Sequence, residues 1–172
     1  AEALAALDRL REGNRRFATG ARRAVIAEPG RDPNEGQQPF AVILGCSDSR
    51  VPVEIIFDQG PGDLFVIRVA GNIVAPSQIG SVEFAADRFQ SRLVVVMGHE
   101  HCGAVEATVD HLLSPHDDSH SRNQKAIVDR IKPAVEGVMT TELKRDRDAL
   151  VDQAVRANVR MSAAALRHGS EV

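Results

Sequence analysis

Three apolar runs of strand length, at residues 40–44, 64–67 and 93–97, predict an α/β domain built on a parallel β-sheet. None of them alternates with polar residues, which suits strands covered on both faces. The stretches between them carry helical spacing, so strand and helix alternate along the chain, the pattern of a parallel sheet with helices on both faces. A length of 172 residues fits one domain, 1–172, with a real core. Within it, residues 1–36 read as an N-terminal helical arm and loop, and residues 37–172 as the α/β core.

In the arm, Leu4, Leu7 and Leu10 recur every three residues, and Gly13-Asn14 and then Gly20 offer stops, which predicts two short helices. Pro29, Gly30, Pro33, Gly36 and Pro39 make residues 28–39 a loop. A short helical stretch follows over 52–57. Ile79, Val82, Ala86 and Phe89 predict a helix over 77–89 with Ser77 as its N-cap. Helices are expected over 103–113 and 123–138, the second with a kink or break at Pro133, and a polar loop over 114–121 between them. The stripe Val151, Val155, Val159 marks a long helix over 142–168. In a βαβ scheme such a helix delivers a further strand, so the core is expected to continue past Val172 into a fourth strand. Without it the third strand is an uncovered apolar edge.

Composition narrows the classes of function. Hydrophobic residues make up 43% and charged residues 26%, an ordinary globular balance. A net charge of −3 gives no attraction to nucleic acid or to an anionic membrane. No apolar run approaches the roughly 20 residues that span a bilayer. Ala1-Glu2-Ala3-Leu4 lacks the basic start of a secretory signal, so the cytoplasm is the default compartment. There is no Trp and no Tyr, which argues against aromatic platforms for bases or sugars.

The chemistry-bearing residues gather at two strand ends. The first strand runs into Cys46-Ser47-Asp48-Ser49-Arg50, and the third into Gly98-His99-Glu100-His101-Cys102-Gly103. Sites in open α/β sheets form at carboxyl strand ends, above all where strand order reverses. If the second and third strands flank the first, the reversal falls between the two clusters. Two thiolates and an imidazole suit Zn2+. His99 and Cys102 are spaced i, i+3, so one helical turn would aim both at one point. His101, directly beside Cys102, would approach from a diverging direction, which favours His99 as the ligand. Asp48 offers a fourth ligand, or Arg50 holds it in a bidentate pair. The first arrangement closes the site and the second leaves room for water. Two cysteines and a histidine alone would better suit a structural zinc or two buried thiols. The added Cys-x-Asp-x-Arg pattern tips the balance, because a structural site has no use for an arginine competing for its fourth ligand. His111, His116, His120 and His168 read as ordinary surface.

These two segments resemble the signatures of the β-class carbonic anhydrases. Around them, 62–68 with Ala70-Gly71-Asn72 is similar to that family's second strand and following loop, and Gly13-Asn14-Arg15-Arg16-Phe17 to its N-terminal helix. The resemblance implies a zinc-dependent lyase that hydrates carbon dioxide reversibly to bicarbonate. It implies Cys46, His99 and Cys102 as zinc ligands, with Asp48 and Arg50 as the catalytic dyad that opens the site. It implies Gln37, Phe65, Ala70, Phe84 and Gly103 as the substrate-binding group; Ala70 stands for a valine and Phe84 for a tyrosine, and both keep the pocket apolar. It further implies a pocket between two subunits, hence a homodimer or a tetramer of dimers. Some members carry an inhibitory bicarbonate site; here Arg68 remains, but Ile43 replaces its tryptophan and no tyrosine exists, so that site is expected to be absent. Two alternatives stay open: a carbon disulfide or carbonyl sulfide hydrolase on the same fold, and a catalytically silent zinc module.

Overall fold

The three apolar runs pair as a parallel sheet in the order β2-β1-β3. The computed structural model describes residues 1–22, 36–114, 121–140 and 142–171. β1 is Ala41–Gly45, β2 is Leu64–Arg68 and β3 is Val94–Met97. β1 is therefore central, and the strand order reverses at its carboxyl end, between the two chemistry-bearing loops. Gly45 lies opposite Arg68 on one side and Met97 on the other.

Every residue of β1 is buried because both faces of the sheet are covered. Ala41 and Ile43 pack with Leu10 of α1 (Glu2–Ala18) and Val53 of α2 (Val53–Ile56). Val42 and Leu44 point the other way, to Val82 and Ala85 of α3 (Pro76–Phe89) and Leu166 of α6 (Arg147–Gly169). A further core joins α6 to α4 (Gly103–Leu113) and α5 (Arg122–Val138) through Val105, Val109, Ile131, Val135, Leu150 and Ala154. Cys46 and Cys102 belong to this core. Among the described residues no helix is long and apolar enough to cross a membrane.

Several local expectations are corrected. Among the described residues the arm holds one helix, not two, because α1 runs through Gly13-Asn14. Its buried face is Ala6, Leu10 and Gly13, while Leu4 is 67% exposed. A Cβ on Gly13 would collide with the Phe57 carbonyl, so this glycine serves a close contact with the end of α2 rather than a stop. Asn14 reinforces that contact by donating to the Ile56 carbonyl at 3.2 Å, and Arg16 pairs with the buried Asp58. α3 starts one residue early: Ala75 is its N-cap, Pro76 its first residue, and the Gln78 side chain accepts from the Ala75 amide at 3.1 Å. Proline's fixed φ suits that first position, and Ser77 falls inside the turn. α5 continues through Pro133. Asp129 and Pro133 both lie on the exposed face, where water can satisfy the carbonyl left without a donor. The pattern expected over 142–168 divides into a 3-10 turn at Leu143–Arg145 and α6, whose N-cap Asp146 accepts from the Ala149 amide at 3.0 Å. The loop up to residue 35, and His116 and His120, lie outside the described residues.

The Gly13 contact gives a direct test of the docked arm. Gly13→Ala is expected to destabilise the protein by about 1–3 kcal/mol, as overpacking against an unyielding backbone does. The urea unfolding midpoint of the variant measures it, and an unchanged midpoint would show that α1 does not rest on Phe57.

Candidate metal centre

Cys46 follows β1 directly, His99 stands two residues after β3, and Cys102 is the N-cap of α4. The two sulfurs are 4.0 Å apart, and they and a His99 ring nitrogen all lie within 4.8 Å of one another. A tetrahedral zinc with Zn–S bonds of about 2.3 Å asks for sulfurs about 3.8 Å apart. Both thiols are buried and unbridged. His99 Nδ1 lies 2.9 Å from the Glu100 carbonyl. With Nδ1–H donating there, Nε2 carries the lone pair, and Nε2 is buried without any hydrogen-bond partner. A buried nitrogen aimed between two sulfurs with nothing to bind fits a metal.

The route from His99 to Cys102 is not the helical turn that the spacing suggested. His101 takes φ +52°, which curls the chain so that α4 begins only after Cys102. The same curl turns the His101 ring outward, 77% exposed and 3.7 Å from Glu106 Oε1, outside the cluster.

Asp48 stands beside the cluster but is held by Arg50. Arg50 Nε donates to Asp48 Oδ1 at 2.9 Å and Nη2 to Oδ2 at 2.8 Å, and the Arg50 amide adds a third bond at 2.9 Å. These hydrogen bonds, foremost those of the guanidinium, hold the Asp48 carboxyl well below the usual carboxylate range. Arg50 Nη2 also donates to the His101 carbonyl at 2.9 Å, tying the two ligand loops together. Asp48 Oδ2 is 3.9 Å from His99 Nε2, too far for a hydrogen bond. Arg68 Nε donates to the Cys46 carbonyl at 3.0 Å and Nη2 to that of Asp48.

The remaining expected residues divide by sheet edge. Ala70 opens the 3-10 turn Ala70–Asn72 after β2, and Gly103 is the first residue of α4, both at the carboxyl edge. Gln37 precedes β1 at the amino edge and is exposed. Phe65 lies opposite Val42, four residues before Cys46 and so about 13 Å up the strand. Its ring stacks with Phe84 at 6.2 Å and Phe89 at 5.9 Å. Phe84 is 55% exposed. One chain thus gathers Cys46, His99, Cys102, Asp48 and Arg50, and keeps Gln37, Phe65 and Phe84 apart from them. Phe89 joins the aromatic group unannounced, since its helical spacing read only as core. The Gly71 amide was also not foreseen: it donates to Cys46 Sγ at 3.4 Å, and main-chain groups leave no mark in a side-chain motif.

A carbonic anhydrase family model matches residues 41–172, from β1 through both ligand loops and α6. The chain belongs to the β-carbonic anhydrase family. The carbonic anhydrase of Mycolicibacterium smegmatis is 39% identical over 141 residues, covering 77% of this chain and 64% of that one. Carbonic anhydrase 2 of Mycobacterium tuberculosis is 45% identical over 115 residues, covering 62% and 52%. The chain therefore spans between half and two thirds of the length of these relatives. The crystal structure of the β-carbonic anhydrase CafA of Aspergillus fumigatus superposes with a TM-score of 0.70 at 27% identity, over 94% of this chain and 74% of that one.

The Cys46, His99, Cys102 cluster matches the zinc site of the β-carbonic anhydrases, and its two sulfurs and one nitrogen are a donor set consistent with zinc. The two sulfurs, 4.0 Å apart, are placed to share one proton between them. The hydrogen bond from Cys102 pulls Cys46 well below the usual thiol range, against the cost of burial. That same bond to Cys46, together with burial, pushes Cys102 up. Zinc must displace the proton that Cys102 retains, so affinity falls as pH falls. We expect the zinc dissociation constant to tighten about tenfold per pH unit between pH 7 and 9, the signature of one displaced proton. Competition with a chromophoric chelator at three pH values reads this, and a flat affinity would overturn the shared-proton account. Cys46→Ser and His99→Ala are each expected to lose the metal, measured by elemental analysis after dialysis.

Proposed function

We propose that this β-carbonic anhydrase interconverts carbon dioxide and bicarbonate at the Cys46, His99, Cys102 centre. The observation that carries the reading is the grip of Arg50 on Asp48, which keeps that carboxylate off the cluster, so that a metal held there would have a position open to water. Zinc, when bound, supplies the Lewis acidity that makes water nucleophilic near neutral pH. Asp48, ionised and fixed by three donors, borders the cluster with Oδ2 and would accept a hydrogen bond from a water bound there, orienting it. Gln37 donates to a substrate oxygen, and Phe65, Ala70, Phe84 and Gly103 line an apolar pocket for carbon dioxide.

The separation of Gln37, Phe65 and Phe84 from the metal cluster supports a homodimer, or a tetramer of such dimers, in which a second copy brings them to the site and covers Phe84. A cytoplasmic location suits a centre that needs both thiols reduced. Sedimentation analysis tests the assembly, and a monomer at micromolar concentration would overturn the shared pocket.

The decisive measurement of activity is stopped-flow carbon dioxide hydration by the zinc-loaded protein. Turnover of carbon disulfide or carbonyl sulfide without hydration, or zinc binding with no turnover, would overturn the proposal. Arg50→Ala frees Asp48 to turn into the cluster. It is expected to cut hydration by about 100-fold, the upper range for an outer-shell partner, with zinc content unchanged. Full activity in this variant would remove the dyad from the mechanism.

A further inference from the structure

The line that α6 buries runs Leu150, Ala154, Asn158, Ser162 and Leu166 in steps of four, and two of its members are polar. Asn158 and Ser162 are 2% and 4% exposed, and neither the ligand set nor the substrate pocket accounts for them. One helical turn apart, they project from the same face. Asn158 Nδ2 donates to the Gly71 carbonyl at 2.7 Å, and Ser162 Oγ to the Asn72 carbonyl at 2.9 Å. Two consecutive carbonyls of the Ala70–Asn72 turn are thus held by side chains 87 and 90 residues away in sequence.

That turn needs holding. Gly71 has φ +67° and Asn72 φ +42°, two left-handed residues in succession, and a non-glycine residue keeps that conformation only where its surroundings impose it. A side chain at position 71 would be strained by the positive φ and would displace Ile131, whose Cδ1 lies 2.6 Å from where its Cβ would stand. The main chain is what reaches the metal centre here, through the Gly71 amide on Cys46 Sγ. A hydrogen bond of this kind draws charge from the thiolate, which then gives less to the metal. In a centre with two thiolates, that restores part of the metal's Lewis acidity.

We infer that Asn158 and Ser162 are positioning residues of the metal centre. They hold the Ala70–Asn72 turn so that the Gly71 N–H stays on Cys46 Sγ and sets how much charge that sulfur donates. The inference rests on Cys46, His99 and Cys102 being the metal ligands.

The test replaces zinc with cobalt(II) and follows the sulfur-to-cobalt charge-transfer band in the full chain. Asn158→Ala is expected to move the band to longer wavelength, because a sulfur without its N–H donor releases an electron more easily. Ser162→Ala is expected to move it the same way by less. Metal affinity in Asn158→Ala, read by chelator competition, is expected to weaken about tenfold or more, because the loss of a fixed turn behind Cys46 outweighs the stronger donation of its sulfur. Leu166→Ala is the control: it sits one turn further along α6 and packs on the sheet, so it should lose stability while keeping band and affinity. If Asn158→Ala does not fold, Ser162→Ala carries the test, since it removes a single hydroxyl. Unshifted bands in the folded variants, or an equal shift in Leu166→Ala, would overturn the inference while leaving the ligands intact. A wild-type protein with no cobalt–thiolate band would overturn the ligand assignment and this inference together.

Discussion

Parallel pairing of β1 with β3 sets Gly45 opposite Met97, and everything at the metal centre depends on that register. Cys46 is the next residue after one partner and His99 the second after the other, so the pairing decides whether sulfur and imidazole meet. Side chains alternate along a strand, and a slip of one residue would send Cys46 to the opposite face. Burial forbids the slip. Val42 and Leu44 are committed to the layer of α3 and α6, and Ala41 and Ile43 to that of α1 and α2. The two apolar layers, neither of which contains a reacting group, thereby fix the distance between ligands that stand 53 and 56 residues apart in the sequence.

Two arginines brace the loop after β1 against the freedom a loop would otherwise have. Arg68 holds the carbonyls of Cys46 and Asp48, and Arg50 holds the carboxylate of Asp48. The Arg68 guanidinium is spent on main-chain oxygens. The acceptors are backbone groups, so what is being stabilised is the path of the chain.

Much of this was legible in the sequence, for identifiable reasons. Unbroken apolar runs announce doubly covered strands, and reactive side chains placed just after them announce a site at the carboxyl edge. What stayed hidden depended on partners far along the chain. Gly13 reads as a helix stop until Phe57 is seen against it. Asp48 has two chemically sound fates, and only its position beside Arg50 separates them. Gln37, Phe65 and Phe84 could be marked as substrate residues by family resemblance alone, since nothing in their spacing relates them to the ligands. Asn158 and Ser162 look like surface residues of a helix. The available signal was an i, i+4 polar pair in line with Leu150, Ala154 and Leu166, and it gains meaning only once the valine stripe is seen to flank that line.

The reach of Arg50 across to the His101 carbonyl bears on how the two ligand loops keep their spacing. While Asp48 is drawn outward, the loops bearing Cys46 and Cys102 are cross-linked from outside by one guanidinium. Were Asp48 to swing onto the metal, its carboxylate would form a new link between the same loops from inside, and the guanidinium could still rest on the carbonyl. The guanidinium would thus bridge the gap between the loops wherever the carboxylate sat. The spacing of the two ligand loops is set by a group that is not itself a ligand, and it does not depend on what the ligands hold.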